Sequence, residues 1–180
     1  MRIISGFLKG RKIEPPPGLG IRPTTDRARE ALFNILGLGY RVQWQQISVL
    51  DLFCGSGAVS LEFISRGAKA VYSVEKNKRT IQFLETVKKN WNLSNWHIYC
   101  EDAEEFIEFF NTSLSLVFLD PPYQRVNKEK LIFRILNSNW LMPGGLVIVE
   151  HPTYEIFDTH PYFVEKRAYG YSTFSFFEKK

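Results

Sequence analysis

Short apolar runs alternate along this chain with segments in which apolar residues recur at helical spacing. The apolar runs stop at glycine, proline or a charged residue, and they predict buried strands at 49–53, 70–75, 96–100, 116–119 and 146–150. The amphipathic segments between them predict helices at 57–66, 77–90, 103–110 and 128–137. Strands that alternate with helices form parallel sheets with helices packed on their faces. The pattern therefore predicts an α/β fold.

The pattern changes near both ends of the chain. Residues 163–180 alternate and are rich in aromatic side chains, with a turn at Tyr169-Gly170-Tyr171, which predicts an antiparallel hairpin. Pro143-Gly144-Gly145 predicts a turn before the fifth strand. Residues 2–5 and 11–14 flank a glycine-containing loop, and they predict a small basic β-hairpin that projects from the main body.

Length and composition are typical of one domain. With 180 residues and 44% hydrophobic composition, the chain is long enough for a full core. We expect a single domain in which residues 1–20 form the hairpin extension and 21–180 the core. No apolar run reaches the roughly 18 residues of a membrane span, and the first residues lack a signal-peptide pattern, which favours a cytoplasmic protein. Cys54 and Cys100 have no metal-ligand spacing, so no metal site is expected.

The positive charge is concentrated at the start of the chain. The net charge is +4, and residues 1–30 hold seven bases and three acids, so the remainder is neutral. A polyanion such as RNA could be held by this segment, although a solvated basic surface would have the same composition. The candidate RNA-binding residues are Lys9, Arg11, Lys12, Arg22 and Arg27.

A strand, a tight glycine turn and a helix start follow one another at 49–57, where the sequence is VLDLFCGSG. Gly55 and Gly57 allow a ligand to lie against bare backbone at the helix N-terminus. Asp51, near the end of the strand, adds a fixed carboxylate beside that ligand. A dinucleotide-binding turn would have its third glycine at Ser60, so a dehydrogenase is disfavoured.

Acidic residues also follow the next two predicted strands. Glu75 lies 18 residues after Gly57, close to the gap of about 20 residues before the ribose-binding carboxylate of nucleotide folds. Asp102 follows the third strand, and its carboxylate can accept hydrogen bonds from amino groups of a ligand. Either residue could instead be a solvated strand-end acid. Their placement at successive strand ends, where open α/β sheets bind ligands, favours a nucleotide-like ligand.

The fourth predicted strand ends in Asp120-Pro121-Pro122-Tyr123, a sequence that could alone be an ordinary β-turn. Together with VLDLFCGSG, it resembles the S-adenosylmethionine-binding turn and the [DN]PP[FYW] catalytic loop of methyltransferases that act on exocyclic amino groups of nucleobases. The Asp120 carboxylate and the Pro121 carbonyl could each accept one amino hydrogen and aim the nitrogen lone pair at the methyl group. Tyr123 offers a stacking face worth about 1–3 kcal/mol.

The resemblance narrows when the segment from Arg22 to Leu36, RPTTDRAREALFNIL, is added to these two motifs and to the basic hairpin. Over essentially the whole chain, the sequence resembles the bacterial small-subunit 16S rRNA (guanine-N2)-methyltransferase family, RsmD-type. The departures are mild: Ser5 stands where glycine is common, and the loop after DPPY is short.

This resemblance implies a class I S-adenosylmethionine-dependent methyltransferase, with a Rossmann-like seven-stranded sheet and a terminal antiparallel hairpin. It also implies methylation of the N2 amino group of a guanine in 16S ribosomal RNA by a monomer, within an assembling small-subunit particle. The implied catalytic residues are Asp120, Pro121, Pro122 and Tyr123. The implied cofactor-binding residues are Asp51, Phe53, Gly55, Ser56, Gly57, Glu75, Lys76, Asp102 and Ala103.

Two other functions fit the same motifs. DPPY serves adenine and guanine amines alike, so an N6-adenine methyltransferase acting on DNA or RNA is one alternative. A DNA enzyme would usually carry a separate target-recognition domain, for which this chain is short. The other alternative is a non-catalytic RNA-binding or ribosome-assembly factor that keeps the fold, and the intact cofactor and DPPY motifs argue against it.

Overall fold

The computed structural model describes residues 1–19, 25–122 and 126–180, and its centre is one seven-stranded sheet. The strands are β1 Ser48–Leu52, β2 Ala70–Val74, β3 Trp96–Tyr99, β4 Leu114–Leu119, β5 Leu141–Pro152, β6 Phe163–Tyr169 and β7 Ser172–Glu178. The helices are α1 Asp26–Asn34, α2 Ala58–Ser65, α3 Lys78–Asn90, α4 Ala103–Phe109 and α5 Lys128–Leu136. Short helical turns at Ile35–Gly39 and Trp44–Gln46 join α1 to β1.

The strand order is β3-β2-β1-β4-β5-β7-β6. The first five strands pair in parallel, whereas β7 is antiparallel to both β5 and β6. The α/β architecture and the terminal hairpin predicted from the sequence are thus confirmed. From β1 the chain adds β2 and then β3 on one side of β1, and it then crosses to the other side to form β4. The direction of winding therefore changes between β1 and β4. Open α/β sheets bind their ligands at such a point.

Two hydrophobic clusters cover the two faces of the sheet. Successive side chains of a strand point to opposite faces, so Val49 joins the cluster under α1, α2 and α3. Leu50 and Leu52 join the cluster under α4 and α5. The central strand is therefore covered by helices on both sides, which explains its nearly unbroken apolar sequence. Among the described residues, no helix is long and apolar enough to span a membrane.

The prediction of a turn at Pro143-Gly144-Gly145 is wrong. These residues belong to β5, which is 12 residues long. The pairing with β4 shifts register there, because Leu114 faces Leu141 whereas Leu116 faces Leu146. The extra residues form a bulge on the β5 side. Proline and glycine thus interrupt the pairing without reversing the chain.

The N-terminal segment pairs as predicted but does not project. Arg2 and Lys12 form a single antiparallel bridge. Ile3, Leu8 and Ile13 are all buried in the cluster under α2. The basic side chains had suggested a solvated extension, but these three apolar side chains share one side and pack onto the domain. The basic residues are left on the other side, exposed to solvent.

Hydrogen bonds with the end of α2 hold this segment closely. The Phe7 amide donates to the Ser65 carbonyl at 2.9 Å, and the Leu8 amide donates to the Ser65 hydroxyl at 3.0 Å. A Cβ atom at Gly6 would lie 1.7 Å from the Ser65 carbonyl oxygen. Only glycine therefore fits at this position, independently of its positive φ of 82°.

A buried ion pair completes the attachment. The Glu62 carboxylate on α2 accepts from the Ile4 amide at 2.8 Å and the Ser5 amide at 3.1 Å. Its other partners are the Arg66 guanidinium at 3.0 Å and the Arg29 guanidinium at 4.0 Å. Arg29 and Glu62 are both fully buried. Arg29, one of the seven bases in residues 1–30, thus stabilises the packing of α1 and is withdrawn from the surface.

Candidate active site

Parallel pairing brings the carboxyl ends of β1, β2, β3 and β4 to the same edge of the sheet. Leu52 of β1 pairs with both Val74 and Leu119, and Val74 pairs with Tyr99. The residues that follow these strands are therefore level with one another. Neighbouring strands lie about 4.8 Å apart, so the backbones at the ends of β2 and β4 lie about 10 Å apart across β1.

The loop after β1 has an unusual backbone. Phe53, Gly55 and Gly57 have φ angles of 62°, 49° and 73°, so three of its five residues are left-handed. A left-handed Phe53 costs about 1–3 kcal/mol and is held by its surroundings. The Cys54 amide donates to the Val74 carbonyl at 3.0 Å, which fixes the loop to β2. Strain of this kind is concentrated at ligand-binding turns, and the loop opens directly onto the start of α2.

Gly57 is required by the core as well as by the turn. It caps α2 in the left-handed conformation. A Cβ atom here would lie 2.9 Å from the Leu84 methyl group and 3.2 Å from the Trp96 ring. The sequence had suggested that this glycine makes room for a ligand. The contacts show that it also lets α2 approach α3 and β3.

A chain of buried hydrogen bonds runs beneath this loop. The Ser60 hydroxyl donates to the Asp51 carboxylate, and its oxygen lies 2.6 Å from the Ser73 hydroxyl oxygen. The Trp96 indole donates to the Ser73 hydroxyl at 2.7 Å. Ser60, which replaces the third glycine of a dinucleotide-binding turn, is therefore a partner of Asp51. Sequence analysis missed this role, and the only signal for it was a polar residue one turn into an apolar helix.

The Asp51 carboxylate is directed toward α2 and is only 1% exposed. Burial raises its pKa to about 7, against a smaller lowering by the hydrogen bond from Ser60. Burial likewise raises the pKa of the neighbouring Cys54 thiol, so this cysteine stays protonated near neutral pH. Asp51 thus connects the buried part of β1 to α2 through Ser60.

Glu75 and Asp102 are both partly exposed at the open edge of the sheet. The Glu75 carboxylate accepts from the Asn77 amide at 2.9 Å, which fixes its position at the start of α3. The Asp102 carboxylate accepts from the Glu104 amide at 2.9 Å and caps α4. Lys76 lies 3.9 Å from Asp102, with side chains 63% and 42% exposed. The two acids thus lie at the carboxyl ends of β2 and β3, and the buried Ala103 follows Asp102.

The DPPY loop begins at the same edge. Asp120 is partly exposed, Pro121 is buried and Pro122 is exposed. Tyr123 lies outside the described residues. Beyond the loop, the Lys128 ammonium at the start of α5 pairs with the Glu155 carboxylate at 2.6 Å. The sequence analysis did not predict this ion pair, which fixes the end of the loop to the segment after β5.

The candidate RNA-binding residues lie on the outside of the fold. Lys9, Arg11, Lys12 and Arg27 are all exposed. Arg22 lies outside the described residues. Within the described ranges, no group of three or more histidine, cysteine, aspartate or glutamate side chains could hold a metal ion.

Comparison with known proteins identifies several relatives. Residues 1–178 match the family model described as Conserved hypothetical protein 95. The chain is 35% identical over 150 residues to ribosomal RNA small subunit methyltransferase D of Escherichia coli strain K12, covering 83% of this chain and 74% of that protein. It is 36% identical over 159 residues to the protein of the same name from Haemophilus influenzae, covering 83% and 78%.

Solved structures show the same relationship at the level of the fold. The structure of yhhF from Escherichia coli superimposes with a TM-score of 0.87 at 31% identity, covering 100% of this chain and 98% of that chain. The architecture is that of the class I S-adenosylmethionine-dependent methyltransferases. In this architecture the carboxyl edge of the sheet, where the described site residues gather, is the ligand-binding edge.

Proposed function

The chain belongs to the ribosomal RNA small subunit methyltransferase D family, and from this premise we propose that it transfers a methyl group from S-adenosylmethionine to the N2 amino group of a guanine in 16S ribosomal RNA. The observation that carries the proposal is that β1, β2, β3 and β4 end at the same level along one edge of the sheet. This common level supports the assignment of the 53–57 loop, Glu75, Asp102 and Asp120 to one binding site.

The residues at this cleft fit S-adenosylmethionine. Glu75 is a partly exposed carboxylate whose geometry is fixed by the Asn77 amide, and it is suited to accept from ribose hydroxyls. Asp102 is suited to accept from the adenine amino group. The strained 53–57 loop offers backbone groups to the methionine portion. When bound, the cofactor supplies an electrophilic methyl group. The remaining tasks fall to the protein, which must hold the base, orient its nitrogen and keep both reactants close.

Asp120 is the residue we assign to the amino group. The lone pair of a nucleobase amine is delocalised into the ring, so the amine is a poor nucleophile. Hydrogen bonds from the two amino hydrogens to the Asp120 carboxylate and the Pro121 carbonyl would favour a pyramidal nitrogen with its lone pair directed at the methyl group. Two successive prolines restrict the backbone, so the carbonyl is positioned before the base arrives. Tyr123 is assigned to stacking on the base.

The substrate is expected to approach over the basic N-terminal segment. Lys9, Arg11, Lys12 and Arg27 are exposed and can contact phosphates, and Arg22 is assigned the same role from its sequence. A guanine in structured RNA must leave its stack to reach the cleft. We propose that a monomer acts on an assembling small-subunit particle in the cytoplasm.

The test is methyl transfer with defined substrates. Purified protein is incubated with radiolabelled S-adenosylmethionine and either 16S ribosomal RNA or small-subunit particles from cells that lack the protein, and modified nucleotides are mapped by mass. One N2-methylguanine is expected. Methylation at an adenine N6 would support the adenine alternative, and cofactor binding without transfer to any RNA would contradict the proposal.

A further inference from the structure

Helix α3 carries a positive charge that the net charge of residues 31–180 does not reveal. Residues 75–90 contain five bases and two acids, a net charge of +3. Outside residues 1–30 the chain is neutral because residues 101–110 contain five acids and no base. The structure separates the two helices, since α3 packs on one face of the sheet and α4 on the other, and the two groups meet where Lys76 lies 3.9 Å from Asp102 at the strand ends. The neutral remainder is therefore strongly polarised.

The basic N-terminal segment lies against this helix. The Arg11 guanidinium stacks over the Trp91 ring at the end of α3, 5.1 Å from its centroid. Further along, Pro16 and Leu19 face α3 across a groove of about 350 Å³, which Arg79 and Phe83 line from the helix side. The segment thus follows α3 from its last turn to its first. Two basic stretches that are about 60 residues apart in the sequence become neighbours.

The charges on α3 are available at the surface. Lys78, Arg79 and Lys89 are exposed, and none of them forms an ion pair within the part of the chain that the structure describes. Lys76, which precedes the helix, is 63% exposed and only distantly paired with Asp102 at 3.9 Å. A surface of unpaired bases attracts a polyanion, and phosphate binding gains free energy from counterion release.

We propose that the exposed face of α3 binds the phosphate backbone of the substrate RNA and forms one surface with the N-terminal segment. This inference rests on the proposed function and identifies a second RNA-binding element for it. The helix has 13 residues, which gives it a length of about 20 Å, enough for several successive phosphates. Its first turn adjoins Glu75 at the cofactor cleft, so RNA bound along α3 is directed toward the site where methyl transfer takes place.

The experiment compares two double variants that remove equal charge. Arg79→Gln/Lys89→Gln removes one base from each end of α3. Lys166→Gln/Arg167→Gln removes two bases from β6, at the opposite edge of the sheet, where the side chains are 44% and 54% exposed. RNA binding is measured across a salt series, together with cofactor affinity, melting temperature and the kcat and KM for RNA methylation.

The α3 variant is expected to flatten the slope of log affinity against log salt by about 1.4–1.8, the sum for two phosphates that the variant no longer neutralises. It should raise the KM for RNA while leaving cofactor affinity and kcat at saturating RNA close to the wild-type values. The β6 variant should match the wild type. Arg79→Lys/Lys89→Arg, which keeps the charge, should restore the slope.

An α3 variant that methylates RNA with the slope and KM of the β6 variant would overturn the inference and leave the proposed function intact. A wild-type protein that binds RNA but transfers no methyl group would instead contradict the proposed function, while the binding series would still test α3. A folded α3 variant whose slope is unchanged places the RNA elsewhere.

Discussion

The buried carboxylate of Asp51 lowers the stability of the folded protein when it is ionised. Its pKa is about 7 in the folded chain, against 3.8 for an unperturbed aspartate. The folded state therefore holds the proton more tightly than the unfolded state. The contribution of this group to stability is most favourable below about pH 4 and declines as the pH rises to about 7. Above that pH the cost is constant, at about 4 kcal/mol as an upper bound.

Asp51→Asn should remove this dependence because the amide stays neutral and still accepts from Ser60. Urea denaturation at several pH values should show the variant gaining stability relative to the wild type between pH 4 and pH 7. The difference should level off above that range. If the free energies of unfolding of the variant and the wild type differed by the same amount at every pH, the pKa of Asp51 would be the same in the folded and unfolded states, which would contradict the prediction.

Asp120→Ala should separate binding from chemistry. Cofactor affinity is expected to stay within a few-fold of wild type, because this residue is assigned to the amino group of the base. The methylation rate should fall by about 100-fold or more, the scale for a positioned polar group that acts in the transition state. Isothermal titration with S-adenosylmethionine and a single-turnover assay measure the two quantities. Near-normal turnover would remove Asp120 from the mechanism.

Glu75→Ala is the sharper probe of the cofactor pocket. Replacing Gly57 with valine should abolish cofactor binding, but its side chain would also collide with Leu84 and Trp96, so loss of the fold is a second cause. Glu75 is partly exposed, and its removal leaves the core intact. We expect at least a 10-fold loss of S-adenosylmethionine affinity, on the scale of one hydrogen bond to a charged group. Unchanged affinity at an unchanged melting temperature would place the ribose elsewhere.

At the scale of elements, α2 is the helix on which the N-terminal segment depends. Glu62 binds two backbone amides of that segment and pairs with the buried Arg29. Removal of one partner from a buried ion pair leaves the other charge uncompensated. The basic segment is therefore part of the folded domain, and the backbone that carries its exposed bases is held in place against α2.

Glu62→Ala should lower the free energy of unfolding by about 3–5 kcal/mol and expose residues 1–14 to limited proteolysis. Glu85→Ala, which removes an exposed acid from α3, serves as the control and should change stability by less than about 0.5 kcal/mol. Equal effects of the two substitutions would show that Glu62 does not anchor the segment.

For the whole molecule, the expected RNA surface depends on charge from the first residues. Replacing Lys9, Arg11 and Lys12 together with alanine should weaken RNA binding and flatten the salt slope by about 0.7–0.9 for each phosphate that the variant no longer neutralises. Cofactor binding should be unaffected, because these side chains lie outside the cleft. RNA binding of the triple variant is measured across a salt series. A slope identical to the wild type would mean that these bases only solvate the segment.

The sequence by itself determined the order and type of the elements and identified the two motifs. Apolar runs and helical spacing are local properties, so strands such as 49–53 and helices such as 77–90 could be predicted to within a few residues. The motifs VLDLFCGSG and DPPY each contain the end of a predicted strand. Because parallel strands of one sheet end at the same edge, the two motifs indicated where the candidate site lies.

Interactions between distant residues were decided only by the tertiary structure. Arg29 looks like a surface base in the sequence, yet Glu62 draws it into the core. Ser60 looks like a missing glycine, yet it binds Asp51. The bases of α3 are cancelled in the sequence by the acids near α4, yet the sheet separates them. Burial and pairing depend on which residues meet in three dimensions, and a linear sum of charges or spacings contains no such information.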